Sequence, residues 1–388
     1  MLPFPIISNT NIVPVASIKK MVIGGSNLTI LGSDGTLTGY GTNPSGNLGT
    51  GSTSTSLGWY DSTLTDVRDV FMNGSDSSIA IKNDGTIWFC GVLRSATLGS
   101  PSLGTSPIST YTNISDRIPV SGNIVIDVKF SYNYVAFLCS DGNIYTTVPS
   151  SIMTGTTITS TGYTGWRINT PSTPLVKIFS YPLSTGYNDV WMGLDSTGHA
   201  FGIGYDGWKQ ISNTGSGTYT TWTPTISSKT FTDIQFGSNF CIFKSTDNIM
   251  YYSGISGVVN TANINNTINA YAVFNGSGSS SNNLLYILAG TSIAMHIRRS
   301  GAMYGWSANN MMPLDTSNTG NQSPHLLRNV PDVVNIDSLK FCEASSRSMY
   351  ALYDTGAGTR KLWIIGTAFG GTGSNTTFQE VVLPAKYT

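Results

Sequence analysis

Apolar residues alternate with small or polar ones along most of the chain, in short runs broken by tight glycine-containing turns. That alternation predicts half-buried β-strands, and no segment of useful length carries the 3.6-residue period of a helix. The phrase strand, turn, strand, glycine recurs. It reads Thr29-Ile30-Leu31-Gly32-Ser33-Asp34-Gly35-Thr36-Leu37-Thr38-Gly39-Tyr40-Gly41, then Ile79-Ala80-Ile81-Lys82-Asn83-Asp84-Gly85-Thr86-Ile87-Trp88-Phe89-Cys90-Gly91, then Val135-Ala136-Phe137-Leu138-Cys139-Ser140-Asp141-Gly142-Asn143-Ile144-Tyr145. Asp-Gly between alternating runs predicts hairpins closed by type I′ turns, in which both residues take positive φ.

Later copies are worn but hold their register. Thr197-Gly198 leads to Gly204, Asp247-Asn248 to Gly254, and Ser300-Gly301 to Ser307, while the seventh copy expands its turn over Asp354 to Arg360. The closing positions Gly41, Gly91, Val148, Gly204, Gly254, Ser307 and Gly366 follow at steps of 50, 57, 56, 50, 53 and 59. A further strand is expected before each hairpin, at Ile18–Ile23, Val67–Phe71, Val125–Phe130, Leu175–Phe179, Phe231–Phe236, Ala270–Phe274 and Val333–Phe341. The expected fold is therefore all-β: one domain over 1–388, a single seven-bladed β-propeller with about four strands per blade. Its blades fall roughly at 16–60, 61–119, 120–174, 175–229, 230–268, 269–330 and 331–388. Residues 1–15 are a candidate closing strand, with Pro5-Ile6-Ile7 expected to meet Glu380-Val381-Val382-Leu383.

Composition narrows the function. Hydrophobic residues are 39% of the 388, enough for a core, but charged residues are only 10%, against about 25% in ordinary soluble domains. Twenty basic residues balance twenty acidic ones. A neutral surface of Ser, Thr, Asn and Gly has no field to steer nucleic acid, so no nucleic-acid partner is expected. Met1 to Val15 has no basic start and three prolines, which argues against a signal peptide. No run of about 18 apolar residues exists, so membrane insertion is not expected either. Cys90, Cys139, Cys241 and Cys342 lie one to a repeat without metal spacing and read as buried thiols.

The repeats resemble those of the regulator of chromosome condensation family. The first copy carries the resemblance best, from Asp34-Gly35-Thr36 through Tyr40-Gly41-Thr42-Asn43 to Gly46-Asn47-Leu48-Gly49-Thr50-Gly51, and the sixth keeps Tyr304-Gly305-Trp306-Ser307-Ala308-Asn309-Asn310. The resemblance spans nearly the whole chain as a period. It implies a seven-bladed propeller and no shared active site. Its members include chromatin-bound nucleotide exchange factors, a secreted β-lactamase inhibitor, and proteins of bacteria and large bacteriophages.

Candidate chemistry is sparse. His199, His296 and His325 have no carboxylate or cysteine at metal spacing, so no metal or cofactor is expected. Asp34, Asp84, Asp141 and Asp247 are turn residues by repeat position and do not form the carboxylate pair of a glycosidase. The glycine-rich stretches Gly46–Gly51 and Gly370–Gly373 lack the Lys-Ser/Thr of a phosphate loop. Trp88, Trp191, Trp306 and Trp363 fall on repeat strands and read as packing. Trp59, Tyr60, Trp166, Tyr205, Trp208, Tyr219 and Trp222 fall between them and are the candidate binding residues, since loop aromatics beside Ser, Thr and Asn stack on sugars or anchor protein interfaces. The longest interruptions, Ser95–Pro119, Pro149–Pro174 and Tyr205–Lys229, are where specificity is expected on such a scaffold.

The expectation is a non-enzymatic structural and binding protein of a bacteriophage virion, in tail, baseplate, collar or capsid. Its expected partners are other virion proteins and a host-surface glycan or protein. The alternative is a secreted or surface adhesin or inhibitor that binds a protein or glycan.

Overall fold

The computed structural model describes residues 16–24, 27–73, 77–92, 107–120, 122–131, 134–158, 165–180, 190–207, 209–211, 217–237, 240–254, 269–271, 284–290, 293–298, 302–307, 325–329, 339–344, 348–354, 360–366 and 375–388. The first sheet contains β1 (Ile18–Gly24), β2 (Asn27–Gly32), β3 (Leu37–Asn43) and β4 (Ser54–Asp61). The second contains β5 (Val67–Asn73), β6 (Ser77–Lys82), β7 (Ile87–Gly91) and β8 (Ile108–Asn113). In the third are β9 (Val125–Phe130), β10 (Val135–Cys139), β11 (Ile144–Thr146), β12 (Thr156–Thr157) and β13 (Arg167–Asn169). The fourth holds β14 (Leu175–Ser180), β15 (Val190–Asp195), β16 (Ala200–Tyr205) and β17 (Thr218–Pro224). Next come β18 (Phe231–Phe236), β19 (Phe240–Ser245), β20 (Met250–Gly254) and β21 (Asn269–Tyr271). They are followed by β22 (Leu284–Gly290), β23 (Ile293–Arg298), β24 (Ala302–Ser307) and β25 (His325–Asn329). The last sheet is β26 (Leu339–Ala344), β27 (Ser348–Asp354), β28 (Arg360–Gly366) and β29 (Asn375–Val381).

The molecule is an all-β propeller. The expected seven blades of about four strands each are corrected to six four-stranded blades, with the third repeat forming a five-stranded sheet, β12-β13-β11-β10-β9. The extra strand arises because Thr156–Thr157 folds back on β13, using the long segment after Val148. Each sheet is built from one continuous stretch of chain. The first strands β1, β5, β9, β14, β18, β22 and β26 touch one another in turn, and β26 touches β1. Two further expectations change. Ala270 lies in β21, the outer strand of the fifth sheet, rather than opening the sixth blade, whose first strand is β22. In the last repeat the first strand is Leu339–Ala344, later than expected.

Packing is face to face between sheets. Val22, Leu31, Val70, Ala80 and Cys90 join the first two sheets. Phe89, Val128, Phe137 and Trp166 join the second and third. Leu138, Ile178, Trp191 and Ile203 join the third and fourth, and Leu28, Ile30, Tyr350 and Leu352 bring the last sheet onto the first. Alternation within the described strands supplies both faces of the first four sheets with apolar side chains, as burial on two sides requires.

The turns differ from the type I′ expectation. Gly35, Gly85, Gly142 and Gly198 have positive φ, but the aspartates before the first three do not. Gly35 N–H donates to Gly32 O at 3.0 Å, and Gly32 N–H to Thr36 O at 2.9 Å. This is a type I turn followed by one left-handed residue. Asp34, Asp84 and Asp141 instead cap the turn with a side-chain oxygen that accepts the N–H of Thr36, Thr86 and Asn143 at 3.1, 2.9 and 2.9 Å. In the fifth copy Asn248 takes the left-handed place, at φ 61°. The closing glycines Gly41, Gly91, Gly204 and Gly254 also have positive φ, between 109° and 139°, which a side chain resists.

A β-bulge interrupts the start of every first strand. The pairing skips Lys19, Arg68, Ile126, Val176, Thr232, Leu285 and Lys340. Just after the skipped residue, charges stitch neighbouring blades: Lys20–Asp69 at 2.6 Å and Lys177–Asp233 at 3.2 Å.

The described part of the proposed closing pair is Glu380–Leu383; Pro5–Ile7 lies outside the described residues. Glu380 and Val381 extend β29 against β28. Closure is made by the segment after it. Trp59 Nε1 donates to Val382 O at 2.8 Å, Ala16 N–H to Lys386 O at 2.9 Å, and Lys386 Nζ meets Asp61 at 2.7 Å. Tyr387 is fully buried, and Arg360 Nη1 donates to Ala16 O and Tyr387 O at 3.0 and 2.9 Å.

Candidate functional site

The candidate aromatics lie mainly on outer strands, and they separate by burial. Trp59 and Tyr60 lie on β4, half-buried: Trp59 rests against Tyr40 with ring centroids 4.9 Å apart, and the Tyr60 hydroxyl donates to Ser56 O at 2.7 Å. Tyr219 and Trp222 lie on β17. Trp222 is buried, and its Nε1 donates to Asn169 Oδ1 of the third sheet at 2.8 Å. Trp166 is fully buried against Phe137, 5.8 Å between centroids. Trp166 and Trp222 are thus core residues that seal sheets together, and Trp222 lies on a strand rather than between strands. Tyr205, at the end of β16, is exposed, and Tyr219 is half-buried. Trp208 lies outside the described residues. The seven are not brought into one patch: the first blade carries two, the third sheet one, and the fourth blade the rest of those described.

Among the repeat-strand tryptophans, Trp191 is fully buried and Trp88 is half-buried, its Nε1 donating to Thr86 Oγ1 at 2.8 Å. Trp306 and Trp363 lie on β24 and β28.

The turns of the fourth and fifth blades enclose a polar cleft of about 280 Å³ lined by His199, Ser227, Ser228, Lys229, Thr230, Thr246 and Asp247. Asp195 Oδ1 accepts the N–H groups of Thr197 and His199, both at 2.9 Å, and the Thr197 hydroxyl at 2.7 Å. Partial burial pushes the Asp195 carboxyl up, but these hydrogen bonds outweigh it and hold it below the ordinary range. His199 Nδ1 lies 2.7 Å from Thr197 Oγ1. Lys229 Nζ stands 3.4 Å from Asp247, while Tyr251 and then Asp247 raise the Lys229 ammonium. The cleft's charges are paired within it, so its polar groups serve the turns first.

The acids Asp34, Asp84, Asp141 and Asp247 all sit in hairpin turns. Among the described residues no group of three His, Cys, Asp or Glu side chains could hold a metal. Cys90, Cys139 and Cys241 are free and buried; burial pushes the Cys139 thiol up to about 12 and the other two well above the usual range. The side chains of His296, His325 and Cys342 lie outside the described residues. No described helix is long and apolar enough to cross a membrane.

One device escaped sequence reading in its worn form. Asn43 Oδ1 accepts Leu48 N–H at 3.0 Å, and Cys90 Sγ–H of the next blade points to Asn47 O at 3.3 Å. In the fourth blade Asp206 Oδ1 accepts Ile211 N–H at 2.7 Å, and Ser253 Oγ donates to Gln210 O. Tyr205-Asp206-Gly207 is therefore the counterpart of Thr42-Asn43-Pro44, an inter-blade latch in which Asp replaces Asn. The Asp five residues before an apolar Ile211 was the available signal.

No family model matches the chain, and no curated protein matches it. Solved structures do. Human WBSCR16 is similar at a TM-score of 0.66 with 14% identity, covering 91% of this chain and 95% of that one. Yeast RCC1 (Prp20), solved bound to Kap60, gives 0.63 and 15% over 90% of this chain and 84% of that one. The CRINKLY ectodomain of the Arabidopsis thaliana receptor kinase ACR4 gives 0.51 and 14% over 91% and 96%. The fold is thus that of RCC1-type propellers. At these identities the likeness speaks for fold alone.

Proposed function

We propose that this chain is a binding propeller that docks other proteins, without turnover, as a structural component of a bacteriophage virion. The carrying observation is the division of its polar groups. The buried and turn acids hold the ring together, while the outer strands β8 and β17 carry no charged residue and β4 carries only Asp61, at its end. On β4, Thr55, Ser56 and Leu57 are exposed; on β8, Thr110, Thr112 and Asn113; on β17, Thr218 and Thr221. Isolated proteins usually guard such edges with charge. A neutral edge rich in Thr, Ser and Tyr suits a chain that spends its life against neighbours.

Propellers of this fold offer precedent for protein docking. Prp20 was solved bound to Kap60, and its binding to Gsp1p and histones has been characterised. In this chain the low overall charge and zero net charge disfavour histones and nucleic acid as partners. The fivefold-stranded third repeat is read as completing, with the six four-stranded blades, a ring of seven. Host-surface glycan or protein contact is assigned to the same outer aromatics, Tyr60, Tyr205 and Tyr219.

Mass spectrometry of particles purified from lysed host cells tests the reading. The chain is expected in stoichiometric amount, cross-linked to a second particle protein through its rim. A soluble monomer left in the lysate, or one that accelerates nucleotide release from a small GTPase, overturns it.

A further inference from the structure

The bulge in every first strand builds a surface. Each bulge lies at the end of the ring that bears the hairpin turns, because Ile18 pairs with Gly32, at the start of the turn, and the other first strands repeat this register. A bulged residue is released from the ladder and its side chain re-aimed. Here it is turned to solvent on the innermost strands. Lys19, Ile126, Val176 and Thr232 are all exposed, and Arg68 is half-buried.

Taken around the axis, these residues fall into two adjoining arcs. One is basic: Lys19 and Arg68, neither in an ion pair with a described residue. Lys19 Nζ donates to Arg68 O at 2.8 Å, and Arg68 Nη2 donates to Val125 O at 2.7 Å. The second hydrogen bond carries the basic arc directly to the other, which is aliphatic. Ile124, Ile126 and Val176 are 57%, 41% and 49% exposed on or beside the neighbouring strands β9 and β14. They are half of the large hydrophobic residues exposed among the described residues. Scattered single apolar residues need no explanation, but three together beside cations with no ion-pair partner among the described residues do.

Charge fixes the occupant further. The acids at the next register position are neutralised within the ring: Asp69 by Lys20, Asp127 by Lys129 at 3.1 Å, and Asp233 by Lys177. The turn carboxylates Asp34, Asp84 and Asp141 stand one hairpin further out, each accepting its own turn's N–H. Among these groups, the positive charge that no described carboxylate neutralises lies on the innermost strands, at Lys19 and Arg68.

We infer that this end of the ring is a docking surface for a segment of a partner protein that presents carboxylates beside aliphatic side chains. The carboxylates meet Lys19 and Arg68, and the aliphatic groups cover Ile124, Ile126 and Val176. The inference rests on the reading of the chain as a protein-binding propeller and adds where one partner sits and what it offers.

The test uses the full chain and three fluorescein-labelled synthetic peptides read by polarisation. One has a glutamate block followed by an Ile-Leu-Val block, one has lysines in place of the glutamates, and one scrambles the first. The first peptide alone is expected to bind. Val176→Asp and Lys19→Glu are each expected to weaken it by about tenfold or more. Both positions are exposed, and an unchanged melting temperature shows that the fold is kept. Equal binding of all three peptides, binding of none, or unaltered binding by both variants overturns the inference. So does preferential binding to phosphatidylserine vesicles, which assigns the arcs to a lipid surface. Particle association, scored separately, distinguishes failure of this surface from failure of the broader reading.

Discussion

At the scale of single residues, the chain spends its few special side chains on geometry. The left-handed position after the turn is held by Gly in four described copies and by Asn248 in the fifth. An L-residue there costs roughly 1–2 kcal/mol, less for Asn. Asn248→Gly is expected to raise stability by up to about 1 kcal/mol, and Gly85→Ala, where an added Cβ meets nothing within 4 Å, to lower it by about 1–2 kcal/mol. Urea unfolding monitored by fluorescence measures both; equal midpoints for Gly85→Ala and the parent chain contradict the assignment. The thiols make a second case. Cys90, Cys139 and Cys241 are buried and their ionisation lies far above neutral pH. Iodoacetamide at pH 8 is expected to leave all three unmodified until denaturant is added, because the thiolate is the reactive form. Peptide mapping of the native protein reads this directly, and rapid alkylation of any of the three refutes it.

At the scale of elements, legibility followed local chemistry. The hairpins around Asp34, Asp84 and Asp141 stood out because their alternation and Asp-Gly turns are short-range signals. The exact turn did not, since Asp-Gly fits both type I′ and a type I turn with a following left-handed glycine, and the Thr36 and Thr86 that complete the cap are ordinary strand residues. Outer strands were least visible. Trp59, Tyr60, Tyr219 and Trp222 lie in segments without clean alternation, and only pairing with β3 or β16 makes them strands. Nor does sequence distinguish an aromatic that caps the core, as Trp166 does, from one that faces solvent. Bulges were wholly silent, because one skipped residue leaves composition unchanged. The latch between blades is testable at this scale: Asp206→Ala removes the acceptor of the buried Ile211 N–H and is expected to cost about 1–3 kcal/mol. Asp206→Asn, which restores the Asn43 chemistry, is expected to recover most of it. An alanine variant as stable as the parent chain shows that the loop does not latch.

For the whole molecule, the ring is closed by side chains and a short tail. Burial raises the Asp61 carboxyl, but Lys386 and Thr38 outweigh it, so its ionisation is held below the ordinary range. A depressed carboxyl contributes stability above its unfolded value, near 4, and loses it as the pH falls through the folded value. The melting difference between the parent chain and Asp61→Asn is therefore expected to be constant above about pH 5 and to shrink below about pH 4. The pair is exposed, so the difference is small, below about 1 kcal/mol. Removing residues 385–388 takes away buried Tyr387 as well and is expected to cost several times more. Thermal unfolding across pH checks both, and a tail deletion without effect shows that the last blade is held by packing alone.

Because every sheet is one uninterrupted stretch of chain, the ring has no preferred beginning. Ala16 and Lys386 are in hydrogen-bond contact, so the order of the repeats is cyclic in space though linear in sequence. A circularly permuted chain that opens between Pro224 and Phe231 and joins Thr388 to Met1 would contain the same blades in the same neighbourhood. Only the location of the seam would move. A rigid ring of this kind can be entered or left by the polypeptide at any spoke, which suits a module inserted into larger assemblies at whichever angle its neighbours require.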